Sequence, residues 1–246
     1  MAVAVKGTVA FVTGANRGIG LAIVNALLDR GAAKVYAGAR RPETLEALAA
    51  ASQGRVVPVR LDVTRPDQIK AAVDTAGDVT LLVNNAGIVA QVGGQFTDKA
   101  WVTAGREEYE VNVLGTLSVT QAFAPVLAGQ GGGAVVNISS VAGLVSFGLL
   151  TSYSASKAAL HSVTQATRSW LKAQGTYVAG VYPGPIDTDM AKALPIDKAS
   201  PEAAANAILD GLEAGSEEIF PDPVARQLGQ LYLQSPKALE QQQLAG

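Results

Sequence analysis

TVAFVTGANRGIG, residues Thr8 to Gly20, decides how this chain is read. A β-branched apolar run stops at Thr13. Three glycines follow at positions 14, 18 and 20, and an apolar helical pattern then begins. A strand that enters a helix through such a turn lets backbone approach a pyrophosphate closely. The helix N-terminus adds free N–H groups and a partial positive charge. The spacing is G-x-x-x-G-x-G rather than G-x-G-x-x-G, and no G-K-[ST] follows, so it is not a P-loop. The plainer reading is a tight strand–helix connection with no ligand.

Outward from this turn, short apolar runs alternate with longer helical patterns. Strands are expected at 8–13, 34–39, 55–61, 79–84, 134–139 and 176–182, with a late one at 217–220. Several are apolar throughout, as strands covered on both faces should be. Helices are expected near 18–30, 42–52, 66–76, 106–128, 152–174 and 201–214. This alternation predicts an α/β fold, a doubly wound Rossmann-type sheet, mostly parallel, of about seven strands with helices on both faces. No repeat or linker divides residues 1–246, so one domain is expected. Residues 91–105 read as a glycine-containing loop, and 185–200 as a short, mobile substrate lid. In the tail, 222–246, Val224, Leu228, Leu231 and Tyr232 fall at helical spacing and suggest packing or subunit contact.

Composition excludes several classes. Hydrophobic residues make up 48%, enough for a large core, and the net charge of −2 comes without a basic run, which argues against nucleic acid. There is no cysteine, so disulfides and thiolate metal sites are excluded. The N-terminus lacks the basic n-region of a signal peptide. No stretch approaches 18 uninterrupted apolar residues, so no membrane span is expected. The expectation is a cytoplasmic protein.

The second strand ends Gly38-Ala39-Arg40-Arg41. An acidic residue there would hold the ribose 2′-hydroxyl of NAD, whereas arginine suits the 2′-phosphate of NADP. Ala39 takes the acidic position. Arg40, Arg41 and Arg17 could converge on one phosphate through charge-assisted bonds. NADP(H) is therefore the expected cofactor.

Four signals then line up in order: TGANRGIG (13–20), NNAG (84–87), Ser140, and YSASK (153–157), with Asn112 between the second and third. Over about residues 7–190 the chain resembles the short-chain dehydrogenase/reductase family, in its single-Rossmann-domain subtype. The resemblance implies that Tyr153 exchanges a proton with a carbonyl or alcohol oxygen. Lys157, one helical turn on, would lower the phenol's pKa and bond the nicotinamide ribose. Ser140 would hydrogen-bond the substrate oxygen, and Asn112 would anchor a proton-relaying water. Gly14, Asn16, Arg17, Gly18, Ile19 and Gly20 would cradle the pyrophosphate. Asp62 and Val63 would meet the adenine, and Asn84 to Gly87 (with Asn85 and Ala86 between) would line the site. Pro183, Gly184, Ile186 and Thr188 would hold the nicotinamide carboxamide.

Substrate-pocket candidates are Val141, Leu144, Val145, Phe147, Gln91 and Val92, mostly apolar, which points to an apolar or aromatic carbonyl compound. His161 reads as a packing residue. Asp187 and Asp189 lack companion ligands, so no metal is assigned. The chain lacks the V-D-G-G ending of many relatives, which puts the usual tetramer geometry in question, although a homodimer or homotetramer remains the family expectation. The expected activity is NADPH-dependent reduction of a ketone or aldehyde, reversible as alcohol oxidation. The alternatives are an NAD-preferring alcohol dehydrogenase and a non-catalytic dinucleotide sensor.

Overall fold

A computed structural model describes residues 3–192 and 195–245. Seven strands form one sheet: β1 (Val9–Thr13), β2 (Lys34–Ala39), β3 (Val56–Arg60), β4 (Leu81–Asn84), β5 (Ala134–Ile138), β6 (Tyr177–Val181) and β7 (Glu218–Ile219). Their order is β3-β2-β1-β4-β5-β6-β7, and every pairing is parallel. The chain winds outward from β1 to β3, returns beside β1 as β4, and winds the other way. The carboxyl ends of β1 and β4 therefore diverge at a switch point, where such sheets bind ligands.

Successive strand residues face opposite ways. Ala10 and Val12 join a core beneath α1 (Gly18–Asp29) and α7 (Pro201–Glu213), with Ile23, Leu27 and Ile208. Phe11, between them, joins the opposite core with Leu82, Val119 and Phe123. α2 (Glu46–Ala51) and α3 (Pro66–Thr75) complete the first half.

The helix expected near 106 begins earlier. α4 (Ala100–Tyr109) passes through a π-helical segment (Glu110–Gly115) into α5 (Thr116–Gly129), so part of the presumed loop 91–105 is helical. This continuous stretch of 30 residues is long and apolar enough to cross a bilayer by composition alone. Its apolar face is instead spent on the sheet through Val119, Phe123 and Leu127, all fully buried.

α6 (Thr151–Leu171) carries the YSASK segment. A buried chain of amides and hydroxyls ties it to the sheet: Asn84 Nδ2 donates to Thr120 Oγ1 and Asn137 Oδ1 at 2.9 Å, and Asn137 Nδ2 donates to Thr164 Oγ1 at 3.0 Å. Asn84 is thus an internal brace and does not line the cavity described below, contrary to expectation. The tail forms two helices, α8 (Pro223–Gln234) and α9 (Pro236–Ala245). Val141, Val145, Tyr182, Ala225, Leu228 and Leu239 build a third core under them.

The glycine turn is packed without spare volume. A Cβ on Gly20 would collide with the Gly14 carbonyl and the Asn85 amide. Gly20→Ala is expected to cost about 1–3 kcal/mol through overpacking, read as a lower urea midpoint at an unchanged m-value.

Candidate active site

A cavity of about 1250 Å³ opens at the switch point. It exceeds the ~300–1,000 Å³ typical of a pocket for one drug-sized ligand. At one end Gly14 and Gly18, with φ of +63° and +53°, line it with Asn16, Arg17 and Ile19. These are left-handed conformations that only glycine adopts cheaply. α1 begins here with no acidic side chain in its first turn and no side-chain cap. Gly20 lies behind the turn, where its missing side chain lets α1 approach. Asn85 Nδ2 donates to the carbonyls of Thr13 and Gly14 at 3.0 and 3.1 Å and so stitches the β4 loop to the turn.

Arg40, Asp62 and Val63 line the same end, and Ala86 and Gly87 line the middle. Burial works to raise the Asp62 carboxyl, but the Thr64 N–H and hydroxyl, with Arg40 and Arg65 nearby, hold it below the usual carboxylate range. The three arginines do not converge. Arg17 Nη1 pairs with Asp189 Oδ2 at 3.1 Å, across to the lid segment. Arg41 is not among the lining residues, and its carbonyl accepts from Thr44 Oγ1. Of the arginines lining this end, Arg40 is the one without an acidic salt-bridge partner among the described residues. Open glycine backbone, a bare helix N-terminus, one arginine and one carboxylate still fit a dinucleotide: anionic phosphates at the turn and a nucleoside beside Asp62.

Ser140, Tyr153 and Lys157 also line the cavity, with Pro183 and Gly184 beside Ser140, and Ile186 and Thr188 follow, Thr188 reaching back to Gly18. Ser140 Oγ donates to the Pro183 carbonyl at 3.3 Å and accepts from Ala142 N at 3.1 Å. Lys157 Nζ donates to the Ile138 carbonyl at 2.9 Å and lies 5.6 Å from the Tyr153 ring centre. Burial moves both groups of this pair. Burial pushes the Tyr153 phenol up to about 12; the Ser140 hydroxyl pulls it down and the Glu108 carboxylate adds to the rise. Burial pushes the Lys157 amine down to about 8. Desolvation disfavours the charged form of each group and is the largest cause of both shifts.

Asn112 stands behind the cavity. Its Oδ1 accepts from Ile88 N at 2.8 Å, and its Nδ2 donates to the Ile88 carbonyl and Ser156 Oγ at 3.0 Å. Both amide hydrogens therefore hold protein. Glu108, one turn earlier and fully buried, accepts from Ala90 N at 2.8 Å through Oε1. The pair clamps the loop after β4. Sequence reasoning passed over Glu108, although its four-residue spacing from Asn112 on one helical face was a readable sign.

Of the pocket candidates, Val141, Phe147 and Val92 line the cavity. Leu144 and Val145 do not: they turn into the third core against the tail. Gln91 does not either, because its Nε2 donates to the Gly93 carbonyl at 2.9 Å. The tail, expected only to pack, contributes Val224, Gln227, Leu228, Gln242 and Gln243 to the cavity wall. Asp222 binds the tail to the Pro183-Gly184 loop. Its Oδ2 accepts from Gly184 N at 2.7 Å, while Oδ1 caps α8 at Ala225 N, 2.9 Å away. The Asp-Pro pair that opens α8 was the available signal. The lid is closed at its base, where Asp187 N donates to the Ala199 carbonyl and Ala199 N to that of Pro185. Ala193 and Leu194 lie outside the described residues. His161 lies against Tyr182, with Nδ1 2.6 Å from the hydroxyl, and edge-on to Tyr232. Among the described residues no group of three His, Asp or Glu side chains is placed to hold a metal ion.

Comparison with known proteins agrees with this geometry. The family model described as short chain dehydrogenase matches residues 8–199. An uncharacterised oxidoreductase of Staphylococcus epidermidis is 36% identical over 193 residues, 76% of this chain and 81% of that protein. A short chain dehydrogenase from Burkholderia cenocepacia, solved in complex with NADP, superimposes with a TM-score of 0.90 at 40% identity, covering 98% of this chain and 99% of that one. An NADPH-bound carbonyl reductase from chicken fatty liver gives 0.77 at 31% identity, covering 87% and 89%. The chain belongs to the short-chain dehydrogenase family and is an oxidoreductase.

The buried amine has a measurable consequence. Below pH 8 both folded and unfolded chains hold the Lys157 proton, and the folded one bears the cost of burying the charge. Between about 8 and the ordinary value of 10.5 the folded chain releases that proton while the unfolded chain keeps it, so this contribution to stability rises with pH. Lys157→Met is expected to be more stable than the parent by about 1–3 kcal/mol at pH 7. Urea unfolding at pH 7 and pH 10 should show that gain shrink at the higher pH.

Proposed function

We propose that this chain reduces a ketone or aldehyde to an alcohol with NADPH and runs the reverse oxidation at high pH. The observation that carries the reading is the buried Tyr153 phenol beside the Ser140 hydroxyl at one end of the cavity. Burial pushes that phenol up to about 12, so it holds a proton throughout the neutral range. That is the state a proton donor to a carbonyl needs.

Bound nicotinamide would supply the hydride to the carbonyl carbon. Tyr153 Oη delivers the proton to the carbonyl oxygen, which completes the alcohol. Ser140 Oγ, whose 3.3 Å bond to Pro183 is long, exchanges that partner for the substrate oxygen and orients it. Lys157 keeps Tyr153 company as a buried donor, and its ammonium favours the phenolate left after proton transfer. The clamp of Asn112 and Glu108 holds the Ile88–Ala90 wall in place.

Arg40, with Ala39 where an acidic residue would select NAD, supports NADP. The Burkholderia relative in complex with NADP and the NADPH-bound carbonyl reductase support it further. The NAD-preferring reading keeps one observation in its favour: Arg17 is engaged by Asp189 and Arg41 stands apart.

Fluorescence titration with NADPH and NADH decides between them. NADPH is expected to bind at least about tenfold more tightly, or ~1.4 kcal/mol; tighter NADH would move the assignment to an NAD enzyme. Tyr153→Phe is expected to lower kcat about 10²–10⁴-fold while leaving NADPH binding within about twofold. Turnover equal to the parent would remove the phenol from the mechanism. The raised phenol also sets the pH response. Reduction needs the protonated form and is expected to stay level through neutral pH and fall only on the alkaline side. Oxidation needs the ionised form and is expected to climb with pH.

A further inference from the structure

We propose that the substrate is an elongated, uncharged ketone, apolar along most of its length, whose far end carries a neutral hydrogen-bonding group read by the C-terminal helices. This rests on the reading of the site as carbonyl-reducing. Large apolar side chains left in solvent are ordinary when scattered singly, whereas a concentration of them marks a binding surface. Among the described residues five of eleven such side chains fall in one place. Val92, Leu149, Met190, Ile196 and Val224, each between 40% and 60% exposed, all line the cavity that holds Tyr153 and Ser140. They come from four separate segments, and nothing in the sequence groups them.

The tail closes this apolar space. α8 is anchored beside the Pro183-Gly184 loop by Asp222, and a Cβ on Gly184 would lie 3.2 Å from Val224 Cβ. Val224 therefore stands against the Pro183-Gly184 loop, and Leu228, one turn on, lines the same cavity. Gln227, Gln242 and Gln243, from α8 and α9, also line the wall. A glutamine amide both donates and accepts but carries no charge, so it suits a hydroxyl, ester or amide.

Charge argues against an anionic substrate. Among the described lining residues the cations are Arg17, Arg40 and Lys157. Arg17 is paired with Asp189, Arg40 stands at the end of β2, and Lys157 is buried on the Ile138 carbonyl. On the lid side Asp187 and Glu202 add negative charge. A carboxylate at the far end would meet no partner there.

The test is a set of three methyl ketones: a short one, a long-chain one ending in a primary amide, and the same chain ending in a carboxylate. Binding is measured by calorimetry on the Tyr153→Phe protein saturated with NADPH, which needs no turnover. The amide-ended ketone is expected to bind at least about tenfold more tightly than either other. Replacing Gln242 and Gln243 together by leucine is expected to lower its preference over the short ketone about tenfold. The same preference should survive Lys237→Ala, an exposed α9 position outside the cavity lining. Equal binding of all three ketones, or tighter binding of the carboxylate, overturns the proposal. Turnover of the amide-ended ketone by the parent chain with NADPH is scored separately. Its failure removes the carbonyl-reducing reading, while the calorimetric ranking still judges the substrate class.

Discussion

Between Gly14, Gly20 and Asn85 there is no room for one more carbon. The loop after β1, the first turn of α1 and the loop after β4 meet there backbone to backbone. That contact sets where the two halves of the sheet part, and the large cavity lies directly outside it. A side chain at Gly20 would push α1 away from the sheet. The helix N-terminus would then no longer face the cavity, and the β4 loop would lose the Asn85 bonds that hold it against the turn. The dinucleotide end of the site is thus a product of absent side chains as much as of present ones.

At the opposite end burial is the controlling influence. Tyr153 and Lys157 sit one turn apart on α6, and both are removed from water. Desolvation favours the neutral form of each, so the phenol is pushed up and the amine down. Such a pair is costly to the fold, since each charge is disfavoured where it would be most useful. A site that stores a proton on a buried phenol gains in return a donor that does not leak protons near neutral pH. Sites of this sort commonly trade stability for activity.

The tail joins the two themes. Asp222 accepts from the Gly184 N–H and from the first turn of α8 with its two oxygens, so one carboxylate couples the Pro183-Gly184 loop to the C-terminal helices. Leu239 then buries α9 against the third core. The helices that follow the last strand are a wall of the cavity, distant in sequence from the Ser140 and Tyr153 hydroxyls that share it.

Much of this was legible in the residues. The alternation of apolar runs and helical patterns predicted seven strands with small errors at the ends. The spacing of Ser140, Tyr153 and Lys157 pointed to one site, and the structure brings all three to one cavity. The early start of α4 was missed because Gly93, Gly94 and Asp98 read as loop, whereas packing on α6 carries the helix back to Ala100. Leu144 and Val145 were placed in the pocket because they follow Ser140, yet the chain turns there and buries them under the tail. Arg17 was given to a phosphate, but it reaches Asp189, 172 residues away. The sequence by itself determined the sheet, the glycine turn and the grouping of Ser140, Tyr153 and Lys157, because strand and helix periodicity place neighbours on known faces. Only the tertiary structure decided the partners of the arginines, the direction in which burial moves the phenol, and the tail's place in the cavity wall. Desolvation and contacts between distant segments exist only once the chain is packed.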